Sequence, residues 1–101
     1  MSMLMAIISR EENRNKKMII EYMKELDVLP KGKIMPKMVN GNIYYYLYYR
    51  DGKKVVSKYI GKNEESLTPI REGLARRSQV EEIIKKLKEE KAQIKKVEAM
   101  L

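Results

Sequence analysis

Apolar positions along this chain change period twice. Met18, Ile19, Tyr22, Met23 and Leu26 recur at helical spacing. Ser9-Arg-Glu-Glu12 ahead of them has the form of a capping box, with Ser9 as N-cap and Glu12 three positions on. Together they predict a first helix from about Arg10 to Asp27, ended by Pro30 and Gly32. Leu4–Ile8 reads equally well as an extension of that helix or as a short strand.

Three β-prone runs follow, separated by turn signals. Lys33–Val39 leads to Asn40-Gly41, the pairing favoured in two-residue hairpin loops. Ile43–Arg50 leads to Asp51-Gly52, and Lys53–Ile60 is closed by Gly61. The result is a three-stranded antiparallel β-meander over about Lys33–Lys62. Pro36 lacks a backbone donor, so the first run must lie at an edge.

Thr68-Pro69 reads as N-cap and first helical residue of a long amphipathic helix, 69–101. Gly73 inside it costs about 1 kcal/mol relative to alanine, which a helix of this length absorbs. Val80, Leu87, Ile94 and Leu101 are spaced by seven, and Ile84 falls at a matching position. Arg77, Lys91 and Glu98 interrupt that seam. This stripe, Val80, Ile84, Leu87, Ile94 and Leu101, can pack within the chain or form the contact of a homodimer. The reading is α+β: an N-terminal helix, a β-meander and a long C-terminal helix in one domain, 1–101.

Alternation along the strands and two-residue turns sort the meander into two faces. Asp51-Gly52 as the loop pairs Arg50 with Lys53, Tyr48 with Val55, Tyr46 with Ser57 and Tyr44 with Tyr59. Asn40-Gly41 as the loop pairs Lys37 with Tyr44 and Met35 with Tyr46. One face collects Lys33, Met35, Lys37, Tyr44, Tyr46, Tyr48, Arg50, Lys53, Val55, Ser57 and Tyr59. The other collects the aliphatic residues, among them Ile34, Leu47, Val56 and Ile60, with Lys54 and Lys58 near an edge. The aliphatic face suits a covering helix.

Charge gives the first face a meaning. The net charge of +8 lies almost wholly in the central third, where residues 30–63 hold eight basic groups and one acid. A concentrated basic patch is the footprint of a polyanion partner. Lysines neutralise phosphates and tyrosine rings stack on bases. The residues singled out for nucleic acid, DNA or RNA, are Lys33, Lys37, Tyr44, Tyr46, Tyr48, Arg50, Lys53, Lys58, Tyr59 and Lys62. Other readings stay open: a protein interface, since tyrosine and arginine favour hot spots, or plain β propensity under a second covering helix.

Composition excludes more than it assigns. The chain has 101 residues and neither cysteine nor histidine. Disulfides, thiolate metal sites and Ser–His–Asp or Cys–His catalysis are therefore impossible. The acids lie mostly in lysine-rich helical segments and read as solvated faces. The expectation is a non-enzymatic protein without cofactor or metal. Met1–Ile8 lacks the basic flank and length of a signal peptide or membrane span, so the expected location is the cytoplasm.

The run Tyr44-Tyr-Tyr-Leu-Tyr-Tyr-Arg-Asp-Gly-Lys-Lys-Val-Val-Ser-Lys-Tyr-Ile-Gly-Lys62 resembles the core of an uncharacterised family of small bacterial, archaeal and phage proteins. It is also similar to a segment that opens some insertion-sequence transposases. More loosely, it resembles the arm-type DNA-binding domain of phage tyrosine recombinases. The resemblance covers roughly a third of the chain. It implies a phage or mobile-element setting and nucleic-acid contact through Tyr44, Tyr46, Tyr48, Arg50, Lys53 and Lys58. The sequence departs from those transposases in ending after one helix, so the expectation is that the likeness carries binding and no chemistry. A counter-defence role of anti-CRISPR type, gripping a nucleoprotein effector or its guide RNA, is the alternative that setting implies.

Overall fold

The computed structural model describes residues 2–101 and contains five elements. They are α1 (Met3–Val28), β1 (Lys33–Val39), β2 (Asn42–Asp51), β3 (Lys54–Gly61) and α2 (Glu64–Ala99). The strands form one antiparallel sheet in the order β1-β2-β3. The class is α+β, as the sequence predicts, with β1 and its Pro36 at an edge.

Both helices start earlier than their sequence signals suggest. Leu4–Ile8 is helical, and Ser9 lies inside α1 rather than at its cap. The cap is Ser2, whose Oγ accepts from the Met5 N–H at 3.1 Å. Nothing in Leu4–Ile8 breaks a helix, so it propagates back to the first available oxygen. Likewise α2 is capped by Asn63 and not by Thr68. Asn63 Oδ1 accepts from the Ser66 N–H at 3.1 Å and from its hydroxyl at 2.7 Å. Pro69 then falls inside the helix. It withholds one donor from the Glu65 carbonyl, and both residues are exposed, so water replaces it.

The chain divides into two compact units, 29–77 and 2–28 with 78–101, and α2 contributes to both. In the helical unit α1 and the second half of α2 run antiparallel. Arg14 reaches Glu90 at 4.0 Å, and Asn15 Nδ2 donates to the Leu87 carbonyl at 2.8 Å. Lys16, by hydrogen bond and charge, with Glu98 and Lys95 of α2 also contributing, holds the Glu12 carboxyl below its usual range. Val80, Ile84, Leu87 and Asn15 are the buried residues of this unit. Three of the five residues expected to offer a partner seam, Val80, Ile84 and Leu87, are thus covered within the chain. Ile94 is half-buried, and Leu101 is exposed.

In the sheet unit the buried residues are Leu47, at the centre of β2, Gly61, at the end of β3, and Leu67, near the start of α2. A Cβ on Gly73 would overlap the ring of Pro30. That close approach is why a helix interior holds glycine here. One turn on, Arg77 donates from Nε to the Pro30 carbonyl at 2.8 Å and from Nη2 to the Leu29 carbonyl at 3.1 Å. The seam-breaking arginine therefore satisfies two carbonyls of the segment leading into β1. Gly32, at φ 108°, completes that entry: a Cβ there would strike the Tyr48 carbonyl.

Candidate nucleic-acid interface

The β1–β2 hairpin has the register its turn dictates. Lys37 pairs with Tyr44, Met35 with Tyr46 and Lys33 with Tyr48. Asn40 and Gly41 both have positive φ, 51° and 81°, as a type I′ loop requires.

The β2–β3 hairpin departs from the expected pairing by two residues. Asp51 pairs with Lys54, Arg50 with Val55, Tyr48 with Ser57 and Tyr46 with Tyr59. The loop is Gly52-Lys53, with positive φ at Gly52 (65°) alone, which fits a type II′ turn. The observed register sets Asp51 opposite Lys54, whereas the expected one sets Arg50 opposite Lys53. Opposite charges across a ladder stabilise and like charges repel. A slip of two leaves the faces of β2 and β3 unchanged, because side chains alternate with period two.

A bulge follows. Tyr46 pairs with Tyr59, but Tyr45 pairs with Gly61, so Ile60 is the extra residue. Beyond the bulge the alternation of β3 is inverted. Lys62, which strict alternation would put beside Lys58, comes instead to lie over the Tyr44 ring at 5.9 Å.

The resulting face is a continuous aromatic array edged with cations. Tyr44 and Tyr59 have ring centroids 6.3 Å apart, Tyr59 and Tyr46 5.5 Å, and Tyr46 and Tyr48 6.5 Å. All three contacts are tilted, with interplanar angles between 52° and 60°. The Lys37 ammonium sits 5.8 Å over the Tyr46 ring, within cation–π range. Lys33, Lys37, Arg50 and Tyr59 are exposed, the other three tyrosines are half-buried, and no residue of this face is buried.

Most of the sequence-selected residues come together here: Lys33, Lys37, Tyr44, Tyr46, Tyr48, Arg50, Tyr59 and Lys62. Lys53 occupies the exposed turn at one end. Lys58 does not join them. It pairs with Leu47, the buried residue of the opposite face, and so lies with the aliphatic set. Met35 and Val55, which the sequence assigns to this face but not to the binding set, flank the tyrosines at 41% and 64% exposure and add apolar edge to the array. Alternation alone places them there. It could not weigh them, since their exposure depends on what covers the sheet.

Among the described residues no group of three or more His, Cys, Asp or Glu side chains could hold a metal ion. Among the described residues no helix is long and apolar enough to cross a membrane. A family model described as a domain of unknown function, DUF6788, matches residues 7–69, more than half of the chain, and the protein belongs to that family. No curated protein and no solved structure matches it.

Proposed function

We propose that this member of the DUF6788 family is a non-enzymatic nucleic-acid-binding protein. In this reading the tyrosine face of the sheet is the binding surface. Lys33, Lys37, Arg50, Lys53 and Lys62 neutralise phosphates, and Tyr44, Tyr46, Tyr48 and Tyr59 receive bases. The observation that carries the reading is the unbroken ring array on a solvent-facing sheet, with cations over two of its rings. It coincides with the third of the chain that holds nearly all of the excess positive charge. Cations alone would give a generic polyanion surface; interleaved aromatic rings add affinity for bases.

Affinity for single-stranded and duplex DNA and for structured RNA, measured by fluorescence anisotropy at two salt concentrations, tests this. Binding should weaken steeply as salt rises. Replacing Arg50 and Lys53 by glutamine should weaken it more than replacing Lys85 and Lys86. Absence of binding to all three at low salt removes the proposal.

A further inference from the structure

We infer, resting on the nucleic-acid reading above, that the ligand is a single strand laid along β2. Its bases are unstacked and received one by one on Tyr44, Tyr46, Tyr48 and the neighbouring Tyr59. The site takes about three or four nucleotides.

The pitch of the surface carries this. Tyr44, Tyr46 and Tyr48 alternate on one strand, so they repeat at about 6.7 Å. Each has a lysine beside it. Lys62 lies over the Tyr44 ring and Lys37 over the Tyr46 ring, while Lys33 pairs across the ladder with Tyr48. Aromatic ring and cation thus recur together, once per two residues of β2. A stacked strand in a duplex advances only about 3.4 Å per nucleotide. The repeat on this sheet is about twice that, which an extended sugar–phosphate backbone reaches and a stacked one does not.

The ring orientations agree. Neighbouring rings are inclined by 52° to 60°, so their faces cannot all lie parallel to a continuous base stack. Bases splayed apart can each adopt the tilt of their own tyrosine, as on other aromatic sheet surfaces that bind single strands. A duplex keeps its base faces inside and would meet only the cations.

The lysines have a second consequence. In the free protein the ammonium groups of Lys37 and Lys62 sit over the ring faces that a base would occupy. A base arriving on Tyr44 or Tyr46 displaces the cation, which can then meet the adjacent phosphate. Stacking and charge neutralisation are thereby coupled at each step.

The chain has seven tyrosines and no tryptophan, so its intrinsic emission comes from tyrosine alone. The whole chain is titrated at low salt with oligothymidylate, oligouridylate, a duplex of equal length, and heparin as a polyanion without bases. Both single strands should bind at least about tenfold tighter than the duplex and quench tyrosine emission, while heparin binds without quenching. Tyr46→Leu and Tyr59→Leu should each weaken single-strand binding by about tenfold, and Tyr46→Phe and Tyr59→Phe by no more than about twofold. If only one of the two oligonucleotides behaves so, the single-strand site stands and its sugar preference is identified. Duplex binding as tight as single-strand binding, untouched by the leucine changes, overturns this inference and leaves the nucleic-acid reading intact. No binding to any nucleic acid overturns both. Should a leucine variant lose its circular dichroism spectrum, the wild-type emission decides. Quenching by the oligonucleotides alone supports the inference, and equal or absent quenching overturns it.

Discussion

Asn15 is the most conspicuous single residue outside the sheet. It is 1% exposed, donates to the Leu87 carbonyl, and leaves its own Oδ1 without a partner. The Leu87 carbonyl lies within α2, where the helical bond from Lys91 already serves it. Loss of the Asn15 donor therefore orphans nothing, while loss of Oδ1 removes a buried unsatisfied acceptor. Asn15→Leu should raise stability by about 1–2 kcal/mol in a denaturant titration, and Asn15→Asp should lower it by about 3 kcal/mol by burying a carboxylate. The opposite order would show that the side chain is better satisfied than its single bond suggests. The helical period alone placed this asparagine without deciding its burial. Asn15 sits on the helical stripe of Met18, Ile19 and Tyr22, and only the arrival of α2 reveals that it is covered.

At the scale of elements, period and type were legible and starts were not. Ser-x-x-Glu and Thr-Pro are valid cap signals, yet both occur inside helices here. A cap signal is local, whereas a helix stops only where its backbone finds another partner. The two cap readings of α1 and α2 are separable by experiment. Asn63→Ala should cost about 1 kcal/mol in a denaturant titration, and Ser9→Ala less than about 0.5 kcal/mol. A larger loss at Ser9 would mean that α1 begins there in solution. The C-terminal stripe was read as a seam for this chain or another, and α1 occupies its buried part. Arg77, an apparent flaw in that seam, holds the Leu29 and Pro30 carbonyls. Gly73, an apparent weakness, is the clearance Pro30 needs.

For the whole molecule the question is how charge and aromatic surface act together. Four cations, Lys33, Lys37, Arg50 and Lys62, belong to the tyrosine face, and Lys53 lies in the turn at its end. If all five meet phosphates of a single strand, the logarithm of the binding constant should fall with the logarithm of salt at a slope of about −3.5. Lys37→Gln should make the slope shallower by about 0.7, and Lys58→Gln, on the opposite face, should leave it unchanged. Equal effects from the two lysines would mean that the ligand senses total charge and not this face.

The sequence by itself determined the elements, the edge position of β1 and the division of the sheet into a tyrosine face and an aliphatic face. Those follow from local periods and from turn residues whose backbone angles are restricted. The face assignment even survived a two-residue error in register, because alternation has a period of two. Tertiary structure alone decided the rest: the bulge that brings Lys62 over Tyr44, the covering of Val80, Ile84 and Leu87, and the places of Asn15, Gly73 and Arg77. Each depends on which distant segment lies against a residue, and no pattern of near neighbours encodes that.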